Sequence, residues 1–152
     1  YHEVMLKKLG IVNWQADDED LLHDLLELMK QSGADFTLTF RQLTDIAAGT
    51  AASDALSESF HPWLGRWQAR LEAENEPLEQ RAAFMRTVNP LYIPRNHLVE
   101  EAIEAAVNNN DFEPFHALMQ VLSHPFEEHS GQERYTLPPQ PEQVVRRTFC
   151  GT

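Results

Sequence analysis

Cysteine and glycine are scarce in this sequence, and their scarcity excludes several classes of site. The six glycines are all isolated from one another, so the chain contains neither a P-loop nor a dinucleotide-binding fingerprint. The Gly-x-Ser-x-Gly pentapeptide of serine hydrolases is also absent. The single cysteine, Cys150, excludes a disulfide within the chain and any cysteine-cluster zinc site. The sequence therefore lacks the common motifs for nucleotide binding and for serine hydrolysis.

Basic residues are also few. The chain has 12 Lys and Arg against 24 Asp and Glu, a formal net charge of −12 with neutral histidines. Because nucleic-acid binding draws its affinity from clustered Lys and Arg, this balance predicts no nucleic-acid partner. No apolar run approaches the roughly 20 residues that cross a bilayer, and the N-terminus lacks the residue order of a signal peptide. We therefore expect a soluble, cytoplasmic protein that does not contact a membrane.

The length and the apolar share, 152 residues and 42%, suit one domain with a real core over residues 1–152. The chain starts at Tyr1 rather than Met, already inside a helical pattern that runs to Leu9. This start predicts a fragment of a longer protein. Helical periodicity extends over 1–122, and a proline-rich tail with sparse apolar residues follows over 123–152.

Two early segments predict helices with specific starts and ends. The acidic residues Asp17–Asp20 precede a leucine stripe that Gly33 ends, which indicates a helix N-terminus rather than a calcium loop. Asp35 is placed to cap a second helix, although the alternation over 37–40 is also typical of a short strand. Since no second strand is evident to pair with it, we expect a helix.

Two tryptophans one turn apart, Trp63 and Trp67, lie on the apolar face of another predicted helix. We interpret them as core anchors rather than a ligand platform, because each indole removes a large apolar area from water.

A further helix must end before Pro90. Beyond it, Asn96 is predicted to cap the first helix of an αα-hairpin whose polar turn spans 108–111. The whole pattern predicts an all-α fold, an irregular bundle of about six helices with a C-terminal αα-hairpin and then a proline-rich irregular strap.

Clusters of ionisable residues offer weak candidates for a site. Four zinc-ligand side chains crowd one short segment: His124, Glu127, Glu128 and His129. Because the segment is broken by proline and has no His-Glu-x-x-His pattern, a solvated polar loop is the favoured interpretation. The carboxylates of Glu72, Glu74 and Glu76 are interpreted as a charged helix end, because no neighbouring base singles them out. We assign no metal site and no catalytic residue to this chain.

Two further segments are stronger candidates for a functional site than these clusters. In the stretch 89–96 two prolines stiffen an extended connection. The planar guanidinium group of Arg95 can donate hydrogen bonds to a carboxylate, a phosphate or several carbonyl groups. Arg95 and the adjacent Asn96 are predicted to make a structural clasp, with ligand contact as the alternative. Cys150 follows two arginines that would favour its thiolate. A redox-active cysteine and an inert one are both open on composition alone.

Several of these motifs resemble one known family. The stretch 89–103, Asn-Pro-Leu-Tyr-Ile-Pro-Arg-Asn-His-Leu-Val-Glu-Glu-Ala-Ile, is followed by a second helix, by His-Pro-Phe at 124–126 and by Tyr-x-Leu-Pro-Pro at 135–139. The phrase Asp-Phe-Thr-Leu-Thr-Phe-Arg at 35–41 is similar to the family's Asp-Tyr-Thr-x-x-Phe-Arg segment. Together they resemble the C-terminal region of the selenoprotein O family, whose bacterial members are called YdiU. Family members are several hundred residues long, so the resemblance implies a C-terminal fragment.

The resemblance implies an enzyme with a kinase-like, pseudokinase fold that binds ATP with magnesium and transfers AMP to Ser, Thr or Tyr hydroxyl groups of proteins. The ATP-holding and metal-holding residues lie upstream in that family, so no catalytic, cofactor or metal residue is carried over to this chain. The resemblance also implies that Cys150 forms a redox bridge to a cysteine of the kinase-like body.

We therefore expect a helical domain of a protein adenylyltransferase that is catalytically silent by itself. It would pack on the upstream kinase-like domain of the same polypeptide and have a structural or redox-regulatory role, while the full-length enzyme acts on protein substrates. The alternative is a stand-alone acidic helical adaptor that binds a basic protein partner.

Overall fold

The computed structural model describes residues 2–145, and within that range it contains seven α-helices, four short 3-10 helices and no β-strand. The α-helices are α1 (His2–Lys8), α2 (Asp18–Ser32), α3 (Phe36–Ala47), α4 (His61–Glu72), α5 (Leu78–Val88), α6 (Asn96–Asn109) and α7 (Glu113–Ser123). The 3-10 helices are Ser53–Ala55, Glu58–Phe60, Glu133–Thr136 and Pro141–Gln143. The prediction of an all-α fold is confirmed. Among the described helices, none combines the length and the apolar character needed to cross a bilayer.

The chain divides into two compact units, an N-terminal unit of Tyr1–Pro90 and a C-terminal unit of Leu91–Thr152. The division falls at the proline-flanked connection before α6. The sequence instead suggested one domain over 1–152 with a change of character after 122, and that domain assignment stays a prediction.

The core of the N-terminal unit is built around the two tryptophans of α4. Trp63 and Trp67 are 2% and 0% exposed, and their rings stack with centroids 5.8 Å apart. Each indole N–H reaches a backbone carbonyl, that of Leu21 at 2.7 Å and that of Leu9 at 2.9 Å. These bonds remove the cost of burying an indole donor. The interpretation of both residues as core anchors is confirmed.

The helix boundaries of the N-terminal unit follow local chemistry. Gly33 ends α2 in the left-handed conformation, with φ +66°, which glycine adopts without a steric penalty. The Asp35 side chain accepts from the backbone N–H of Leu38 at 2.9 Å and so caps α3. The helix prediction for 37–40 is therefore confirmed over the strand. Helix α5 ends at Val88, before the proline that prevents its continuation.

Gly10 closes the turn that follows α1. Its φ is +73°, and a Cβ atom added there would lie 2.7 Å from the Met85 Sδ and 3.1 Å from the Arg81 Cγ. Glycine is needed at this position for two reasons, because the backbone is left-handed and because α5 packs directly on the Cα.

The C-terminal unit is organised by the predicted αα-hairpin, in which α6 and α7 pack together. Its connected core contains these buried apolar residues: Tyr92, Leu98, Leu118, Val121 and Tyr135. Asn110 makes the turn between the helices in the left-handed conformation, which asparagine tolerates better than most residues. The hairpin prediction is confirmed.

The prediction that Asn96 caps α6 is wrong. The helix already begins at Asn96, and Arg95 occupies the cap position with extended backbone and no side-chain cap. The N–H of Val99 donates to the backbone carbonyl of Arg95 at 3.1 Å. A capping side chain must come from the residue before the first helical turn, so Asn96 lies one position too late for this role.

The tail after α7 is irregular but tied to the rest of its unit. The backbone N–H groups of Leu91 and Tyr92 donate to the carbonyl of Pro125 at 2.7 and 3.1 Å. The structure has a 3-10 helix at Pro141–Gln143, and residues from 146 onward lie outside the described range.

Candidate functional site

Arg95 lies at the centre of the candidate clasp and is 6% exposed. Its Nη2 donates to the backbone carbonyl of Thr136 at 2.8 Å, which ties the start of α6 to a 3-10 helix of the tail. The Tyr92 hydroxyl accepts from the backbone N–H of His129 at 3.1 Å. These two side chains therefore hold the irregular tail at Thr136 and His129, in addition to the backbone bonds at Pro125.

Arg95 and Asn96 line one groove of about 300 Å³, together with His97 and residues of the tail. Burial lowers the pKa of His97, and the positive charge of Arg95 lowers it further. An adjoining groove of about 500 Å³ is acidic and has four carboxylates in its wall: Glu100, Glu101, Glu104 and Glu142. An anionic ligand near Arg95 would be repelled by these charges. Ligand contact by Arg95 or Asn96 stays a prediction.

The histidines of the tail contact the protein itself. The His129 Nε2 lies 3.3 Å from the backbone carbonyl oxygen of His124, and the two rings are 6.2 Å apart. Within residues 2–145, no three His, Cys, Asp or Glu side chains are grouped so that they would hold a metal ion. Cys150, the predicted redox residue, lies outside the described residues.

Sequence reasoning missed a buried ionic network in the N-terminal unit. The Asp18 carboxylate, 1% exposed, accepts from the Nε and Nη2 of Arg70 at 2.7 and 2.9 Å. These hydrogen bonds raise the pKa of Arg70. The same guanidinium lies 3.2 Å from Glu74, whose carboxylate accepts from the backbone N–H groups of Val12 and Asn13. The network fixes the loop that connects α1 to α2.

Few local patterns in the sequence indicate this network. Asp18 stands among four consecutive carboxylates, and its partner Arg70 is 52 residues away. The only local signal is the four-residue spacing of Arg70 and Glu74, which is typical of a helical ion pair. Glu74 follows the end of α4, and its side chain is 3% exposed and accepts from backbone N–H groups.

Asn89 makes a second polar connection that the sequence did not single out. Its Nδ2 donates to the backbone carbonyl of Lys8 at 2.9 Å and to the Thr44 Oγ1 at 3.0 Å. The Lys8 Nζ in turn donates to the carbonyl of Val88 at 2.7 Å, and burial lowers the pKa of this ammonium group. These bonds join the ends of α1 and α5 to α3 within the N-terminal unit.

Comparisons with known proteins agree with the sequence motifs. The model of the family described as Protein adenylyltransferase SelO matches residues 1–123. A protein nucleotidyltransferase YdiU of Rhizobium johnstonii is 48% identical over 97% of this chain and 31% of its own length. A protein of the same name from Rhodopseudomonas palustris is 46% identical over 100% of this chain and 32% of its own length.

The chain thus spans about a third of the length of the curated relatives that it matches. The family match covers both the Asp-Phe-Thr-Leu-Thr-Phe-Arg segment at 35–41 and Arg95, whereas Thr136, the acceptor of Arg95, lies beyond its end. On the extent of this match and the identity along the whole sequence, the chain belongs to the selenoprotein O (YdiU) family.

Proposed function

We propose that the chain is the helical C-terminal part of a protein adenylyltransferase, which transfers AMP from ATP to Ser, Thr or Tyr hydroxyl groups of proteins. One observation supports this proposal. Proteins named nucleotidyltransferase YdiU are 46 to 48% identical to this chain, and each alignment covers at least 97% of the chain but only about a third of the relative. The proposal assigns nucleotide binding and phosphoryl chemistry to the upstream, kinase-like part of the polypeptide.

The use of the buried charged groups supports a role without catalysis for this chain. Asp18 and Arg70 bind each other, and Arg95 binds the carbonyl of Thr136. A catalytic acid, base or anion-stabilising group must instead face a substrate. We accordingly assign ATP, magnesium and the protein substrates to the full-length enzyme, and a structural or regulatory role to the chain.

The proposal is tested by comparing AMP transfer by the full-length polypeptide and by the chain of residues 1–152. Both are incubated with labelled ATP, magnesium and a mixture of acceptor proteins. We expect label on proteins only with the full-length polypeptide. Label transferred by residues 1–152 alone would contradict the silent role, and no transfer by either protein would contradict the adenylyltransferase assignment.

Sequencing the gene upstream of Tyr1 separates this proposal from an acidic adaptor. We expect a kinase-like segment in the same reading frame. A start codon immediately before Tyr1 would favour the adaptor, whose net charge of −12 would attract a basic protein.

We also propose that Cys150 is redox-active in the full-length protein. Its thiol and a thiol of the kinase-like part would lose two electrons and two protons to a disulfide oxidant such as oxidised glutathione. One S–S bond would form between them, while the S–S bond of the oxidant breaks and yields two thiols. Peptide mapping of the oxidised, non-reduced protein should show the linked pair, together with altered AMP transfer. Both effects should be absent in Cys150→Ser, whereas a free Cys150 in the oxidised wild-type protein would refute the bridge.

A further inference from the structure

The αα-hairpin of the C-terminal unit has an open apolar groove between its two helices. The groove has a volume of about 380 Å³, and all of its lining side chains are apolar. Six of them define its floor and walls: Val99, Ile103, Ala106, Phe115, Met119 and Leu122. We call this surface the hairpin groove.

Large side chains in the hairpin groove are only half buried. Ile103, Phe115 and Met119 are 49%, 46% and 50% exposed. Leu118 reaches from the groove into the core, and Val121, which does not line the groove, lies in the core at 1% exposure. Helix α7 is thus apolar on two faces, a pattern typical of a helix that is buried on both sides. A contiguous patch of this kind marks an interaction surface.

The negative charge of the hairpin restricts which kinds of partner can bind in the groove. Residues 96–133 contain eight Asp and Glu and no Lys or Arg. A second copy of the hairpin would bring like charges together, and an anionic lipid surface would be repelled. A segment with basic residues beside an apolar stripe is complementary to both properties of the groove.

We propose that the hairpin groove binds an amphipathic helix, flanked by Lys or Arg, from the kinase-like part of the same polypeptide. This inference rests on the proposed function. A groove between two helices accepts the apolar face of a third helix through side chains spaced three and four residues apart. The relatives have about two-thirds of their length outside the matched region, and a helix supplied by that part would bind at high effective concentration.

Photo-crosslinking in the full-length protein tests the inference. The photoreactive residue p-benzoylphenylalanine replaces Phe115 in the groove or, as the control, Val107, which is 76% exposed on α6 and does not line the groove. We expect position 115 to link to a peptide upstream of Tyr1 that has an apolar helical stripe and flanking basic residues. The yield should exceed that from position 107 by about tenfold or more.

A charge placed in the groove provides the matched variant. Met119→Glu should lower the crosslink yield from position 115 by about tenfold, whereas Val107→Glu should leave it unchanged. Crosslinks between two copies, crosslinks to residues 146–152, or no crosslink at all would overturn the assignment of the groove.

The two proposals fail in different ways. If the full-length protein transfers AMP but position 115 links elsewhere or nowhere, the groove assignment is overturned and the proposed function stands. If the upstream reading frame contains no kinase-like part, the proposed function itself is contradicted.

Discussion

The two units of this chain use apolar residues differently. The N-terminal unit packs five helices around a connected core whose largest members are Trp63, Trp67, Phe40 and Phe60. The C-terminal unit has a much smaller connected core, whose five members are two tyrosines and three aliphatic residues, and it leaves large apolar side chains of α6 and α7 half exposed. The first unit therefore buries the larger apolar core, although it also exposes side chains such as Trp14 and Leu78, whereas the second leaves an open apolar groove between two helices.

Matched leucine truncations offer the sharpest test of this difference. Leu25→Ala in the N-terminal unit should cost about 4 kcal/mol of unfolding free energy, and Leu118→Ala in the C-terminal unit about 2.5 kcal/mol. Leu25 is 0% exposed inside the large core, where a cavity has little room to collapse, whereas α7 has open space beside it. Residue-resolved hydrogen exchange measures the opening free energy of each unit. Equal losses of free energy in the two variants would contradict the proposed difference between the two units.

Loss of the buried ion pair should have the next largest effect. Asp18→Ala leaves the Arg70 guanidinium without its main acceptor, so we expect a loss of about 3 kcal/mol. The control is Asp24→Ala, which removes an exposed pair with Arg66, 2.6 Å apart, and should cost less than about 1 kcal/mol. Urea denaturation of both variants measures the difference. Similar losses would show that burial of the pair does not determine its contribution.

The clasp of the C-terminal unit should respond to a change that keeps its charge. Arg95→Lys retains a cation but loses the planar fork, so we expect a loss of about 2 kcal/mol in the opening free energy of the amides in Glu133–Thr136. Arg134→Lys serves as the control because its pair with Glu101 is exposed, and it should cost less than about 1 kcal/mol. Unchanged protection of these amides from hydrogen exchange in Arg95→Lys would show that the clasp does not stabilise the C-terminal unit.

The smallest predicted effect is a pH dependence confined to the C-terminal unit. Burial and the charge of Arg95 lower the pKa of His97, so the unfolded chain binds a proton at a higher pH than the folded chain. The stability linked to neutral His97 is therefore fully present above the unfolded pKa of about 6.5 and is lost as the pH falls through the lowered folded pKa. His97→Gln should flatten this part of the profile for amides of α6. An unchanged profile in the variant would contradict the assignment to His97.

The helices were predictable because their signals are local. The spacing of leucines in α2, the Asp35 cap and the glycine after α2 all act within a few residues. The same holds for the tryptophans, since large apolar side chains on one helical face have few environments other than a core. The all-α fold class followed from these signals.

The polar connections were not predictable in this way. Asp18 is one of four adjacent carboxylates in the sequence, and only the packing of α2 against α4 selects it as the partner of Arg70. The role of Asn89 depends on α1 and α3, which are distant in sequence. Arg95 was identified as a clasp candidate from its rigid proline-flanked setting, but its acceptor, the Thr136 carbonyl, was not.

Gly10 determines which sequence changes this region can accommodate. Any side chain at position 10 would need a backbone conformation that L-residues rarely adopt and a space that the Met85 Sδ already fills. A smaller residue at position 85 would relieve the second constraint but not the first, and it would leave a void in the core. A second substitution therefore cannot compensate for a side chain at position 10. We expect variation among relatives to accumulate at exposed neighbours such as Val12 and Trp14.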